Sequence, residues 1–177
     1  MLVAMGVFGW LAWTSREEPG IGRVAGGRPL NTAGSPISDE RYELLAAFDA
    51  PAYVAERNSP KAFQTAMARY AKRDYPGAAS GLRAVTDDQP NFMAAKFYLG
   101  VSLLLAGDRI AGIQELRALT MAGDSRYLQS ARFYLAKGLI AEHDIQRAQQ
   151  QLEDLIAQHG DLEKQATVLL SQIRPAA

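Results

Sequence analysis

The 177-residue chain contains no cysteine. That excludes disulfides, thiolate zinc sites and cysteine nucleophiles, and it leaves the redox compartment undecided. Net charge is also missing, because 19 Lys and Arg balance 19 Asp and Glu. A chain without a basic excess gives no electrostatic case for nucleic acid or for an anionic membrane surface. Histidine is scarce: His143 and His159 are the only two, and both read as surface polar positions rather than metal ligands. No HExxH, GxSxG or P-loop pattern occurs. The acidic pairs Asp87-Asp88 and Glu153-Asp154 sit near expected helix ends. Adjacent residues do not share a helical face, so both pairs read as solvated. No catalytic residue, cofactor or metal site is expected, and the chain reads as a non-enzyme. What is plentiful is apolar surface, at 48% hydrophobic residues, which suits one folded domain of this length.

Residues 1–14, MLVAMGVFGWLAWT, carry no charge. As a helix they span roughly 21 Å, against a hydrocarbon core of roughly 30 Å. Three readings stay open: a transmembrane helix whose start precedes this chain, a signal-like or short anchoring segment, or a helix in the soluble core. Trp10 and Trp13 favour the membrane readings, because indoles settle at headgroup level. Residues 15–38 hold five glycines and three prolines and read as a flexible tether. The run Gly20-Ile21-Gly22-Arg23-Val24-Ala25 has a dinucleotide-like spacing, but no strand precedes it and Gly26, Gly27 and Pro29 stop a helix from following. Residues 39–57 read as a short helix and an extended segment packing on the helical repeats of residues 58–174. Ser38 is its expected cap, Tyr42, Leu45 and Phe48 its apolar face, and Pro51 its end.

The repeats themselves are read from spacing. Phe63, Phe97 and Phe133 are separated by 34 and then 36 residues. The same shift relates Ala66, Gly100 and Ala136; Tyr70, Leu104 and Ile140; and Asp74, Asp108 and Asp144. It also relates Ala78, Gly112 and Ala148; Leu82, Leu116 and Leu152; and Val85, Leu119 and Leu155. Seven columns moving together mark a true internal repeat. The two extra residues must therefore lie between Leu119 and Phe133, where Gly123-Asp124-Ser125 offers turn chemistry. Each unit reads as two helices. The Asp column caps the second helix, at about 1 kcal/mol per cap. The small columns let the two helix backbones approach closely.

These residues resemble the tetratricopeptide repeat (TPR) family over about 59–160. The 34-residue period, Leu99-Gly100, the Gly107-Asp108 turn and the closing Pro90 carry the likeness. The first unit departs from the pattern, since Lys72-Arg73-Asp74-Tyr75 lacks the turn glycine, and the later units lack the closing proline. The resemblance implies an all-α solenoid of three helix-turn-helix repeats (about 59–92, 93–128 and 129–160) with a capping helix over 161–174. It also implies a concave face lined by the first helices. A narrower likeness joins the apolar segment, the tether, Tyr42–Tyr53 and Phe63 to Tyr75. Together these look like the extracytoplasmic part of bacterial membrane-anchored, anti-sigma-like repeat proteins. Without cysteines the zinc-binding domain of that group is not expected in these 177 residues, so its sigma-factor binding does not carry over, and the chain reads either as a fragment or as a shorter relative.

On the first helices, Phe63, Met67 and Tyr70 form a stripe. Phe97, Val101 and Leu104 extend it, then Phe133, Lys137 and Ile140. The stripe is ordinary inter-repeat core, or part of it is a groove for an apolar helix or peptide, or segment 42–54 covers it in cis until a partner displaces it. Family members that grip a terminal carboxylate use Lys and Asn where this chain has Phe63 and Met67, which argues against that mode. The expected function is a non-enzymatic protein–protein interaction scaffold. Its partner is another protein or peptide on the concave face, with no nucleic acid and no cofactor. The resemblance further implies a single N-terminal inner-membrane anchor in residues 1–14 with the repeats in the periplasm. The alternative is the sensory or regulatory half of an anti-sigma-like system.

Overall fold

The computed structural model describes residues 38–47, 49–53, 59–123 and 126–174. The anchor reading of residues 1–14 and the tether reading of 15–37 lie outside the described residues. Among those residues there are eight α-helices and no strand: α1 Asp39–Ala46, α2 Lys61–Ala71, α3 Tyr75–Asp88, α4 Met93–Leu105, α5 Arg109–Met121, α6 Leu128–Ala141, α7 Ile145–Ile156 and α8 Glu163–Ile173. No helix among them is long and apolar enough to cross a membrane. From α2 to α8 each helix packs on the next, which makes three antiparallel pairs and a closing helix. The all-α repeat architecture expected from the periodicity is the one observed.

The columns explain the stacking. Ala66, Gly100 and Ala136 are buried, as are Ala78, Gly112 and Ala148 on the second helices. Leu82, Leu116 and Leu152 are fully buried as well, Leu116 against Gly100. Helices α4 and α5 cross at paired glycines: a Cβ added to Gly112 would lie 2.9 Å from the carbonyl oxygen of Gly100. Only a residue without a side chain fits a backbone approach that close. The connection Ala122–Tyr127 is two residues longer than Gln89–Phe92, which accounts for the change of spacing from 34 to 36.

The three turns are built alike. Asp74, Asp108 and Asp144 accept from the amides of Gly77 at 3.0 Å, Ala111 at 3.3 Å and Arg147 at 3.3 Å. Each Asp follows a residue in the left-handed region: Arg73 (φ 62°), Gly107 (φ 89°) and His143 (φ 60°). Arginine and histidine therefore take the conformation that glycine takes in the second unit, with some backbone strain.

One boundary differs from expectation. Helix α1 ends at Ala46, well before Pro51, and Ser38 makes no side-chain capping bond. The reason lies in the path of the residues after it. Residues 47 and 49–53 lie outside the helix, without regular structure, across the first helices of the repeats. Their carbonyls are drawn to side chains there rather than to a continuing helix.

Candidate functional site

Helices α2, α4 and α6 are the first helices of the three units, and the described residues 47 and 49–53 (the strap) lie on them. Tyr70 of α2 donates its hydroxyl to the carbonyl of Pro51 at 3.2 Å. Tyr98 of α4 donates to the carbonyl of Ala52 at 3.1 Å. Tyr134 of α6 donates to the carbonyl of Asp49 at 2.8 Å. One turn further along α6, the Lys137 ammonium donates to the carbonyl of Ala47. Four side chains thus hold four carbonyls of this non-helical stretch. The strap meets α6 first, through Ala47 and Asp49, and then α2 and α4, through Pro51 and Ala52. Backbone recognition of this kind is how a protein holds an extended peptide with little regard to its side chains.

Aromatic rings form the floor. Phe63 is fully buried, with its ring centre 4.8 Å from Phe92 and 5.8 Å from Tyr53. Tyr98 packs edge-on to Tyr53, Tyr70 and Phe97. Edge-to-face pairs stabilise beyond the area they bury. Of the stripe residues, Phe63, Met67, Tyr70, Phe97, Val101, Leu104 and Ile140 are buried, while Phe133 and Lys137 are half-buried. Leu104 fills the space that Gly112 and Gly138 leave open between helices. Tyr70, with its hydroxyl on the strap, and Lys137 are the members of the stripe that bond the strap directly.

Sequence reasoning passed over Tyr98 and Tyr134. They sit one residue after Phe97 and Phe133 and share the 36-residue spacing. A tyrosine on an apolar face needs an acceptor for its hydroxyl when buried. That requirement, applied to a repeated tyrosine, was the available signal.

Helix α1 is fastened to the same region. Its packing partner is α6. Glu43 pairs with Arg109 at 3.1 Å, and Asp39 lies 3.7 Å from the His143 ring nitrogen. Tyr42 and His143 have ring centres 5.0 Å apart. His143 thus serves as a contact for α1, and His159 lies 3.4 Å from Glu163. Beside α1 an open cavity of about 450 Å³ lies between α1, α6 and α8, walled by Leu44, Leu45, Phe133, Lys137, Val168 and Leu169 among others.

Burial raises the hydroxyl pKa of Tyr70 and Tyr98 far above the ordinary phenol value, and it pushes Tyr134 up to about 12, helped by the charge of Asp49. Burial lowers the pKa of the Lys137 ammonium, against the opposing pull of Asp49. Unfolded tyrosines ionise near pH 10. The raised folded pKa values therefore contribute stability that is whole below about pH 10 and is lost as pH rises towards 12. Lys137 works in the opposite sense, but above its unfolded pKa of about 10.4 it adds no further slope. The unfolding midpoint should fall steadily between pH 10 and 12, read by circular dichroism. A midpoint that stays level across that window would contradict the buried phenols.

Comparison with known proteins gives a likeness of fold. No protein-family model matches the chain, and no curated protein matches it. Among solved structures, the type III secretion translocator chaperone SycD of Yersinia enterocolitica aligns at 17% identity and TM-score 0.57, over 64% of this chain and 81% of that one. The same chaperone in complex with a peptide of the translocator YopD aligns at 16% identity and TM-score 0.57, over 67% and 96%. A chain of the CopN–Scc3 complex aligns at 17% identity and TM-score 0.56, over 78% and 88%. At these identities the shared property is the backbone, and the helix pairs of this chain have a TPR-like helical-repeat fold.

Proposed function

We propose that this chain is a non-enzymatic protein–protein recognition scaffold whose α2, α4 and α6 face takes an extended peptide. One observation carries the reading: that face already holds a non-helical stretch of chain by its carbonyls, through Tyr70, Tyr98, Tyr134 and Lys137. The strap is then a ligand in cis, and a partner binds by taking its place. The likeness to a chaperone structure that contains a partner peptide supports the same use of the fold. Removing residues 39–57 uncovers the aromatic floor and should raise the binding of a dye specific for exposed apolar surface several-fold, with helix content of the repeats retained. Unchanged dye binding in a folded deletion would sink the reading.

The proposal extends to location. Residues 1–14 are uncharged and carry Trp10 and Trp13, so they are proposed as an inner-membrane anchor with the repeats on the periplasmic side. A reporter enzyme active only outside the cytoplasm, fused after Ala177, should be active; an inactive fusion of full length would reverse the orientation. The anti-sigma-like role gains no supporting residue from the fold.

A further inference from the structure

Tyr53 closes the strap. Its ring stands edge-on to Phe63 at 5.8 Å and to Tyr98 at 5.6 Å between centres. Its hydroxyl is buried and has no hydrogen-bond partner among the described residues. Tyr70, Tyr98 and Tyr134 meet the same difficulty by donating to strap carbonyls. Tyr53 has no such outlet among the described residues. A hydroxyl stripped of water and left unbonded weakens binding, whereas a phenyl ring in the same slot keeps the ring contacts without that penalty.

The other strap positions show what the face ignores. The side chains of Ala50 and Ala52 are exposed, so those places tolerate change, while the exposed Asp49 acts on Tyr134 and Lys137 through its charge alone. Pro51 is half-buried, and the group taken from it is its carbonyl. Proline lacks an amide donor and has a fixed φ, so it reduces the ordering cost of an extended ligand here. Among the described strap residues, the face therefore reads carbonyls, a proline and the ring of Tyr53.

We infer that the favoured ligand is an extended segment of another protein with proline at the place of Pro51 and phenylalanine two residues later. The strap, with tyrosine at that place, is a weaker copy of it. This inference rests on the peptide-binding reading above. A tethered strap acts at an effective concentration of order millimolar. An imperfect anchor keeps so concentrated a competitor displaceable.

The test uses fluorescent peptides copying residues 47–53, one native and one with Tyr53→Phe. Each is titrated into the full chain carrying Tyr53→Ala, which loosens the strap. The Phe peptide is expected to bind roughly tenfold more tightly than the Tyr peptide. Equal affinities, or a tighter Tyr peptide, overturn the phenylalanine preference while leaving the face a peptide site. Binding of neither peptide to the folded variant overturns the peptide-binding reading itself. Should Tyr53→Ala lose helix content, the chain with Tyr53→Phe in place carries the test. It should then take up the Phe peptide roughly tenfold more weakly than the native chain, because its own strap is the better competitor. Equal uptake by the two chains overturns the inference.

Discussion

Phe63→Ala is expected to lower the free energy of unfolding by about 3–5 kcal/mol. Phe63 is fully buried, and its ring meets Phe92, Tyr53 and Tyr98. Removing it subtracts the transfer energy of a benzyl group and leaves a cavity that three other rings cannot close without leaving their own partners. Tyr98 and Tyr70 are bonded to the strap by their hydroxyls, which limits their freedom to collapse inward. The midpoint of thermal unfolding should drop by roughly 10 °C. Chemical denaturation of the native and variant chains measures the difference. A loss below about 1 kcal/mol would mean that the aromatic floor is loosely packed, contrary to its geometry.

Gly100→Val is expected to destabilise by about 3 kcal/mol, at the upper end for overpacking. An added Cβ would stand 2.7 Å from Cγ and 2.9 Å from Cδ2 of Leu116, and 3.3 Å from the Leu116 backbone nitrogen. Leu116 is itself fully buried, so it has nowhere to swing. The two helices would have to separate, and their separation would pull Gly112 away from the Gly100 carbonyl. Gly107→Ala is the control. It meets no atom within 4 Å, and its effect comes only from a φ of 89°. That strain should cost about 1–2 kcal/mol. Equal losses at the two positions, by denaturant titration, would show that contact at Gly100 is not the cause.

The solenoid was legible because it is written as a period. Ala66, Gly100 and Ala136 recur in phase with Leu82, Leu116 and Leu152, and both sets are buried in every unit. The place of the longer connection followed from the shift between columns. The Asp caps were legible too, since Asp before an apolar helical run has one strong local use. The strap was harder to read. Its hold on the repeats joins residues 85 and 90 positions apart, Tyr134 to Asp49 and Lys137 to Ala47, and no local spacing encodes such pairs. Residues 47–53 contain nothing periodic, so a helix running on to Pro51 was the natural expectation. The turn residues Arg73 and His143 break the glycine rule because the Asp beside each and the helices on either side over-determine the bend. Local preference yields there to tertiary packing.

Stacked repeats usually communicate only with adjacent repeats, so their stability is a sum of local contributions and their ends can fray alone. In this chain α1 and the strap bridge the first unit to the third, and Arg41 reaches the carbonyl of Gln172 on α8 at 3.4 Å. Rungs that would otherwise melt one at a time are bound into a cooperative whole while the bridge is closed. Its displacement by a partner would then be felt as faster amide exchange in the terminal helices, far from where the partner sits.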